Sequence, residues 1–111
     1  MIDFATSPQS TLGVEWEIAL IDRESGALTQ RASEVLSILR ERHPELLEPA
    51  SDRAHVTGEF LENTVEVVTG ICRTVAEACR QLQDLADTLR DITDGLGIEF
   101  YSAGTHPFSH W

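Results

Sequence analysis

The chain contains no lysine; all eight of its basic residues are arginine. That excludes a P-loop lysine and a Schiff-base lysine together. Positive charge is scarce altogether: eight arginines stand against 19 acids, a formal net charge of −11. Such a chain repels a phosphate backbone and an anionic bilayer, so neither nucleic acid nor a membrane surface is expected as a partner. Cysteine is nearly absent. Cys72 and Cys79 match neither a zinc spacing nor a redox motif. On one helix they would face the same side, too far apart along the axis for a disulfide. Both read as core or half-buried thiols. No segment approaches the roughly 20 apolar residues of a membrane span. The opening Met1-Ile2-Asp3-Phe4 lacks the basic region and long apolar run of a signal peptide. A cytoplasmic protein is expected.

What is present suits one small domain: 111 residues, 41% of them hydrophobic. Residues 1–10 read as a polar lead-in, with Pro8 excluding regular structure. Residues 11–22 alternate, with Val14, Trp16, Ile18 and Leu20 on one face and Gly13, Glu15, Glu17 and Ala19 on the other. Period two over this length predicts a strand. Arg23-Glu24-Ser25-Gly26 predicts a turn. Ser33 reads as the N-cap of a short helix carrying Val35, Leu36 and Leu39, which Pro44 ends. Residues 45–54 read as a loop. Residues 55–71, rich in Val and Thr, predict extended structure, with Gly58 and Asn63 allowing a turn or bulge.

The clearest element is a long helix. Thr74 and Glu77 form a capping box. Val75, Cys79, Leu82, Leu85, Ala86, Leu89 and Ile92 follow it at three/four spacing, and Gly95 and Gly97 supply the stop. Ile98 and Phe100 predict a last strand. The order of elements predicts an α+β domain: a mainly antiparallel sheet with helices on one face.

Two acidic clusters could carry chemistry. Glu15 and Glu17, two apart on a strand, project from one face with Cβ atoms roughly 6–7 Å apart. Like charges that close repel unless a cation lies between them, and hard divalent cations take carboxylate oxygens. The plain alternative is a solvated strand face. In the second cluster, strict alternation puts Glu62 and Glu66 on one face and Glu59 on the other. Helical spacing, or a bulge near Asn63, would bring all three together, and spacing leaves these alternatives open. His106, before Pro107, is held extended and could hydrogen-bond a phosphate or a carboxylate; a solvated loop histidine is the plain alternative.

Three motifs then occur in order. Gly13-Val14-Glu15-Trp16-Glu17 resembles the G-x-E-x-E opening of the glutamate–cysteine ligase type 2 family, which includes the bacterial carboxylate–amine ligases. The stretch Glu59 to Cys72 resembles that family's second acidic segment. Gly104-Thr105-His106-Pro107-Phe108, with Trp111 after it, is similar to its G-T-H-P-F signature. Each motif alone is weak, and the ordered set is specific. The resemblance implies a glutamine-synthetase-like open half-barrel, of which residues 1–111 form the N-terminal part of a single catalytic domain. It implies an ATP-dependent ligase that phosphorylates the γ-carboxylate of glutamate and joins it to cysteine or another amine. It implies Mg²⁺ held by Glu15, Glu17, Glu59 and Glu66, with Glu62 a weaker candidate and His106 as a catalytic residue near the substrate or nucleotide pocket. An acidic, lysine-free chain suits nucleotide chemistry of this kind, because the metal mediates between carboxylates and phosphates. A sheet cut short would leave an unpaired edge and an uncovered face, which predicts self-association or only marginal stability. The competing readings are a non-catalytic acidic interaction module, whose acids would scatter, and a simple Mg²⁺ or Ca²⁺ binding domain, for which no EF-hand loop is present.

Overall fold

A computed structural model describes residues 9–109. Met1–Phe4, Pro8 and Trp111, on which parts of the sequence reading rest, lie outside the described residues.

The alternating segment forms β1, Glu15–Asp22. It is shorter at its start than the alternation suggests. Val14 breaks the ladder by donating its N–H to Thr69 Oγ1 at 2.9 Å, and Leu12 keeps an isolated bridge to Cys72. After β1 the Asp22 carboxylate accepts the N–H groups of Glu24 and Ser25 and the Ser25 hydroxyl, which fixes the expected turn. Helix α1, Ala32–Arg42, follows. Ser33 is not its N-cap. Arg31 occupies that position, and Ser33 instead donates both its N–H and its hydroxyl to the Glu62 carboxylate, at 3.1 and 2.7 Å. Capping thus comes from 29 residues away in sequence, a partner that local pattern cannot show. Pro44 ends α1 as expected, and Pro44–Leu47 then form a 3-10 turn.

The extended region is a hairpin. Strands β2, His55–Gly58, and β3, Thr64–Val68, are joined by residues 59–63. Helix α2, Val75–Asp94, begins at a box in which Thr74 Oγ1 accepts the Glu77 N–H. The Glu77 carboxylate reaches back to the Arg73 N–H at 2.6 Å. Its dry stripe is Ala78, Leu85, Ala86, Leu89 and Ile92. Val75 and Cys79, expected on that stripe, are exposed, although Ala78 between them is buried. Cys72 is buried ahead of the helix. Gly97, at φ +70°, turns the chain into β4, Ile98–Tyr101.

The sheet is antiparallel throughout, in the order β2-β3-β1-β4. Ile18 and Leu20 of β1, Val56 of β2, and Val65 and Val67 of β3 point to one face. There they pack with Val35 and Leu39 of α1 and Leu85, Leu89 and Ile92 of α2. Both helices cover that face, as the α+β reading expects. Among the described residues no helix is long and apolar enough to cross a membrane.

Candidate metal site

The other face of the sheet carries the acids. Register does most of the work: Glu17 of β1 lies directly opposite Glu66 of β3, and Thr57 of β2 lies opposite Glu66 on its far side. Two like charges at facing positions normally destabilise a sheet. Glu59, just past the end of β2, folds back over the same face. One carboxylate oxygen from each of Glu17, Glu59 and Glu66 falls within 4.8 Å of the others. Glu15 shares the face, opposite Val68, one pleat along from Glu17.

Electrostatics register the crowding. Glu66 is half-buried, and its carboxyl is pushed above the ordinary glutamate range. Burial is the largest cause, followed by a hydrogen bond with Glu59 and the charges of Glu15, Glu59 and Glu17. A proton shared between Glu59 and Glu66 is how such a cluster relieves repulsion without a cation. The donor set suits a hard divalent ion: all ligands are carboxylate oxygens, with water free to complete the shell. Opposed oxygens lie about 4.2 Å apart around Mg²⁺ and about 5 Å apart around Ca²⁺. The observed spread therefore needs at most a small side-chain adjustment.

Glu62 does not join this site. Its carboxylate is held by Ser33 at the start of α1, and that hydrogen bonding, from hydroxyl and backbone N–H, lowers its pKa. The weaker candidate of the second cluster is a helix cap. Of the alternatives for Glu59, Glu62 and Glu66, neither strict alternation nor helical alignment is realised, because residues 59–63 form a connection that sends Glu59 one way and Glu62 the other.

Beside Glu17 opens a small pocket of about 60 Å³. Its lining includes Asn63, Thr64, Tyr101, Thr105 and His106. His106 is anchored on both sides of its ring. Nε2 lies 2.7 Å from the Gly26 carbonyl oxygen, while Nδ1 accepts the N–H groups of Phe108 and Ser109 at 3.3 and 3.1 Å. That pattern assigns the proton to Nε2. Both nitrogens are spent on pinning residues 102–109 against the turn after β1. Leu28 adds a bond to Ser109 Oγ, and the ring packs edge-on against Phe108. His106 therefore acts here as a clamp that places the loop wall next to Glu17. Asn63 is the residue that sequence reasoning undervalued. Read as a turn former, it is 2% exposed, accepts the Leu20 N–H through its backbone carbonyl and lines the pocket.

Known proteins are similar to this chain over nearly its whole length. The chain is 51% identical over 108 residues to a protein of Arthrobacter sp. (strain FB24) provisionally named glutamate–cysteine ligase 2-1. The match covers 97% of this chain and 28% of that protein. It is 48% identical over 108 residues to a provisionally named glutamate–cysteine ligase 2 of Corynebacterium glutamicum (strain R), covering 97% and 27% respectively. A Nocardioides sp. relative, glutamate–cysteine ligase 2-3 by its provisional name, is 42% identical over 110 residues, covering 99% and 27%. The chain thus spans little more than a quarter of the length of these relatives. Residues 11–111 match the sequence profile of glutamate-cysteine ligase family 2, and the chain belongs to that family.

Proposed function

We propose that this chain is the metal-holding wall of an ATP-dependent carboxylate–amine ligase. In the proposed reaction the glutamate γ-carboxylate takes the terminal phosphoryl group of ATP, giving an acyl phosphate and ADP. The amine of cysteine, or of another acceptor, then displaces phosphate and forms the amide. The observation that carries this reading is the convergence of Glu17, Glu59 and Glu66 on the uncovered face of the sheet. An interaction module would have left those acids scattered.

In this proposal Glu17, Glu59 and Glu66 hold Mg²⁺, and Glu15 adds negative charge beside them. Mg²⁺ held by these carboxylates would supply the charge neutralisation that phosphoryl transfer chiefly demands. The chain's own part is positional. The β1–β3 ladder sets Glu17 against Glu66, and the hairpin connection brings Glu59 over them. His106 holds the loop that walls the adjoining pocket, where we place part of the substrate. ATP consumption suits a cytoplasmic protein. We place any self-association at the open edges, β2 and β4.

The test is a Mg²⁺ titration of this chain followed by amide NMR. Shifts should concentrate at Glu17, Glu59 and Glu66 and disappear in Glu66→Gln. Shifts spread evenly over all the acids would defeat the proposal. Ligation itself is to be assayed in a chain of the relatives' length, as phosphate release that requires both glutamate and an amine.

A further inference from the structure

A second, larger concavity lies on the opposite layer of the molecule, away from the acidic face. It is a cleft of about 620 Å³ between the N-terminal half of α2 and the segment that leads into β2. That volume falls within the range of small-molecule sites.

Three of the eight arginines line it: Arg53, Arg73 and Arg80. Of the other five, Arg23 pairs with Asp94 and Glu99, Arg31 with Glu34 and Arg90 with Asp87, while Arg40 and Arg42 stand unpaired among the described residues in the last turn of α1. The guanidinium groups of Arg53, Arg73 and Arg80 make no ion pair among the described residues. Arg53 gives one N–H to the Glu45 carbonyl at 2.9 Å, while its Nε is buried with no acceptor. A buried donor without an acceptor is rare and unfavourable, and an anion in the cleft would meet the outer nitrogens of the same guanidinium.

The walls form without a ligand. Gln81 accepts the Gly70 N–H at 2.8 Å, and its amide nitrogen lies 3.5 Å from the Asp52 carbonyl oxygen. Ile71 donates to the Ser51 carbonyl at 2.8 Å. A Cβ at Gly70 would sit 2.5 Å from that same oxygen, so the loop rests directly on the glycine. Acids line the cleft too. The Glu77 carboxylate is turned to the Arg73 N–H at the positive end of α2, which offsets its charge. Asp52 and Asp84 are exposed, as Arg73 and Arg80 are, and neither makes an ion pair with the arginines of the cleft. Leu46, Ile71 and Leu85 supply an apolar surface.

We propose that this cleft binds a small organic anion, its carboxylate or phosphate head on the arginines and its apolar body against Leu46 and Ile71. The site stands independently of the acidic cluster and of the ligase reading. Benzoate and phenyl phosphate share a body and differ in the head, and benzamide is their neutral counterpart. Titrated into this chain and followed by amide NMR, the two anions should shift Gly70 and Gln81 and leave Glu17 and Glu66 unmoved, with Kd on the order of 1 mM. Tighter binding of phenyl phosphate assigns the natural head as phosphate, and tighter binding of benzoate assigns it as carboxylate. Because Arg73 and Arg80 are exposed, the double variant Arg73→Gln/Arg80→Gln should fold normally and bind about tenfold more weakly. Equal binding of benzamide, an unchanged affinity in the double variant, or no shifts up to about 20 mM of either anion would overturn the proposal.

Discussion

The two faces of one sheet follow opposite rules. On the helix side, Ile18, Leu20, Val65 and Val67 are fully buried and interchange apolar contacts. On the other side, the residues between them in the same strands place glutamate opposite glutamate. The strands have no freedom to separate these tasks, because a one-residue slip would exchange the faces. The core therefore fixes the register, and the register brings the acids together. Stability on one face is spent holding repulsion on the other, the arrangement expected where a cation or substrate completes the structure.

The strongest way to break the comparison is to strike the acidic face at its centre. In a chain of the relatives' length, Glu17→Gln should lower ligation about a thousandfold, roughly 4 kcal/mol of transition-state stabilisation, with the circular dichroism spectrum unchanged. Glu15→Gln should cost nearer tenfold, because Glu15 lies outside the trio whose oxygens converge. Equal losses at both positions would show that the trio is not the unit. Striking the other face should do the reverse. Leu89 is fully buried between α2 and the sheet, and Leu89→Ala should cost about 3 kcal/mol. For a domain of this size that is on the order of 15 °C in Tm. Thermal unfolding of this chain checks it.

A milder substitution sharpens the contrast. Glu66→Gln should stabilise the cation-free chain by about 0.5–1 kcal/mol, since it removes one member of a facing like-charge pair. The sign with pH follows from the raised Glu66 pKa. The folded state binds the proton more tightly than the unfolded chain does. The wild type should therefore lose stability as pH rises above the ordinary glutamate value of 4.5, until Glu66 is ionised in the folded state as well. Melting curves between about pH 4 and pH 7 in chelator should show that decline, and Mg²⁺ or Glu66→Gln should flatten it. A variant less stable than wild type in chelator would mean that the cluster is no burden on the fold.

Much of this was legible in the sequence because it depends on period. Alternation through residues 14–20 gave β1 and its two faces, and the Thr74/Glu77 box gave the start of α2. The same-face placement of Glu15 and Glu17 needed nothing more than the pleat. What could not be read was pairing. That Glu17 meets Glu66 is a matter of register between strands some 50 residues apart, which no local pattern encodes. The cap on α1 failed for the same reason: Ser33 has the chemistry of an N-cap, but a carboxylate supplied from the hairpin took it as a donor. Val75 and Cys79 kept the helical period and still ended in water, because period gives the face of a helix and not what packs against each position on it.

The smallest effect concerns the hairpin connection, where Glu59 and Glu62 leave for opposite faces within four residues. Glu59 joins the repelling cluster, whereas Glu62 gains two hydrogen bonds from Ser33 at the first turn of α1, where the helix dipole also favours an anion. Its pKa is lowered by those bonds, so the sign opposes that of Glu66. The folded state holds the Glu62 proton less tightly than the unfolded chain does. The stability that results is fully present above the ordinary value of 4.5 and is lost as pH falls through the depressed folded value. Asp22 and Glu34 act in the same direction, Asp22 through its bonds from Ser25 and Glu34 through its bond from Arg31. Ser33→Ala leaves the Ser33 N–H but removes the hydroxyl, the larger cause of the Glu62 shift. We expect a modest loss of stability at pH 7, on the order of a surface hydrogen bond to a charged group, and a smaller loss at pH 3, below the ordinary value, where protonation of Glu62 is under way. Unfolding in urea at the two pH values measures both. An equal effect of Ser33→Ala at pH 3 and pH 7 would mean that the Glu62 charge contributes nothing to the cap, and that the two acids of the connection are not divided between the faces as the geometry places them.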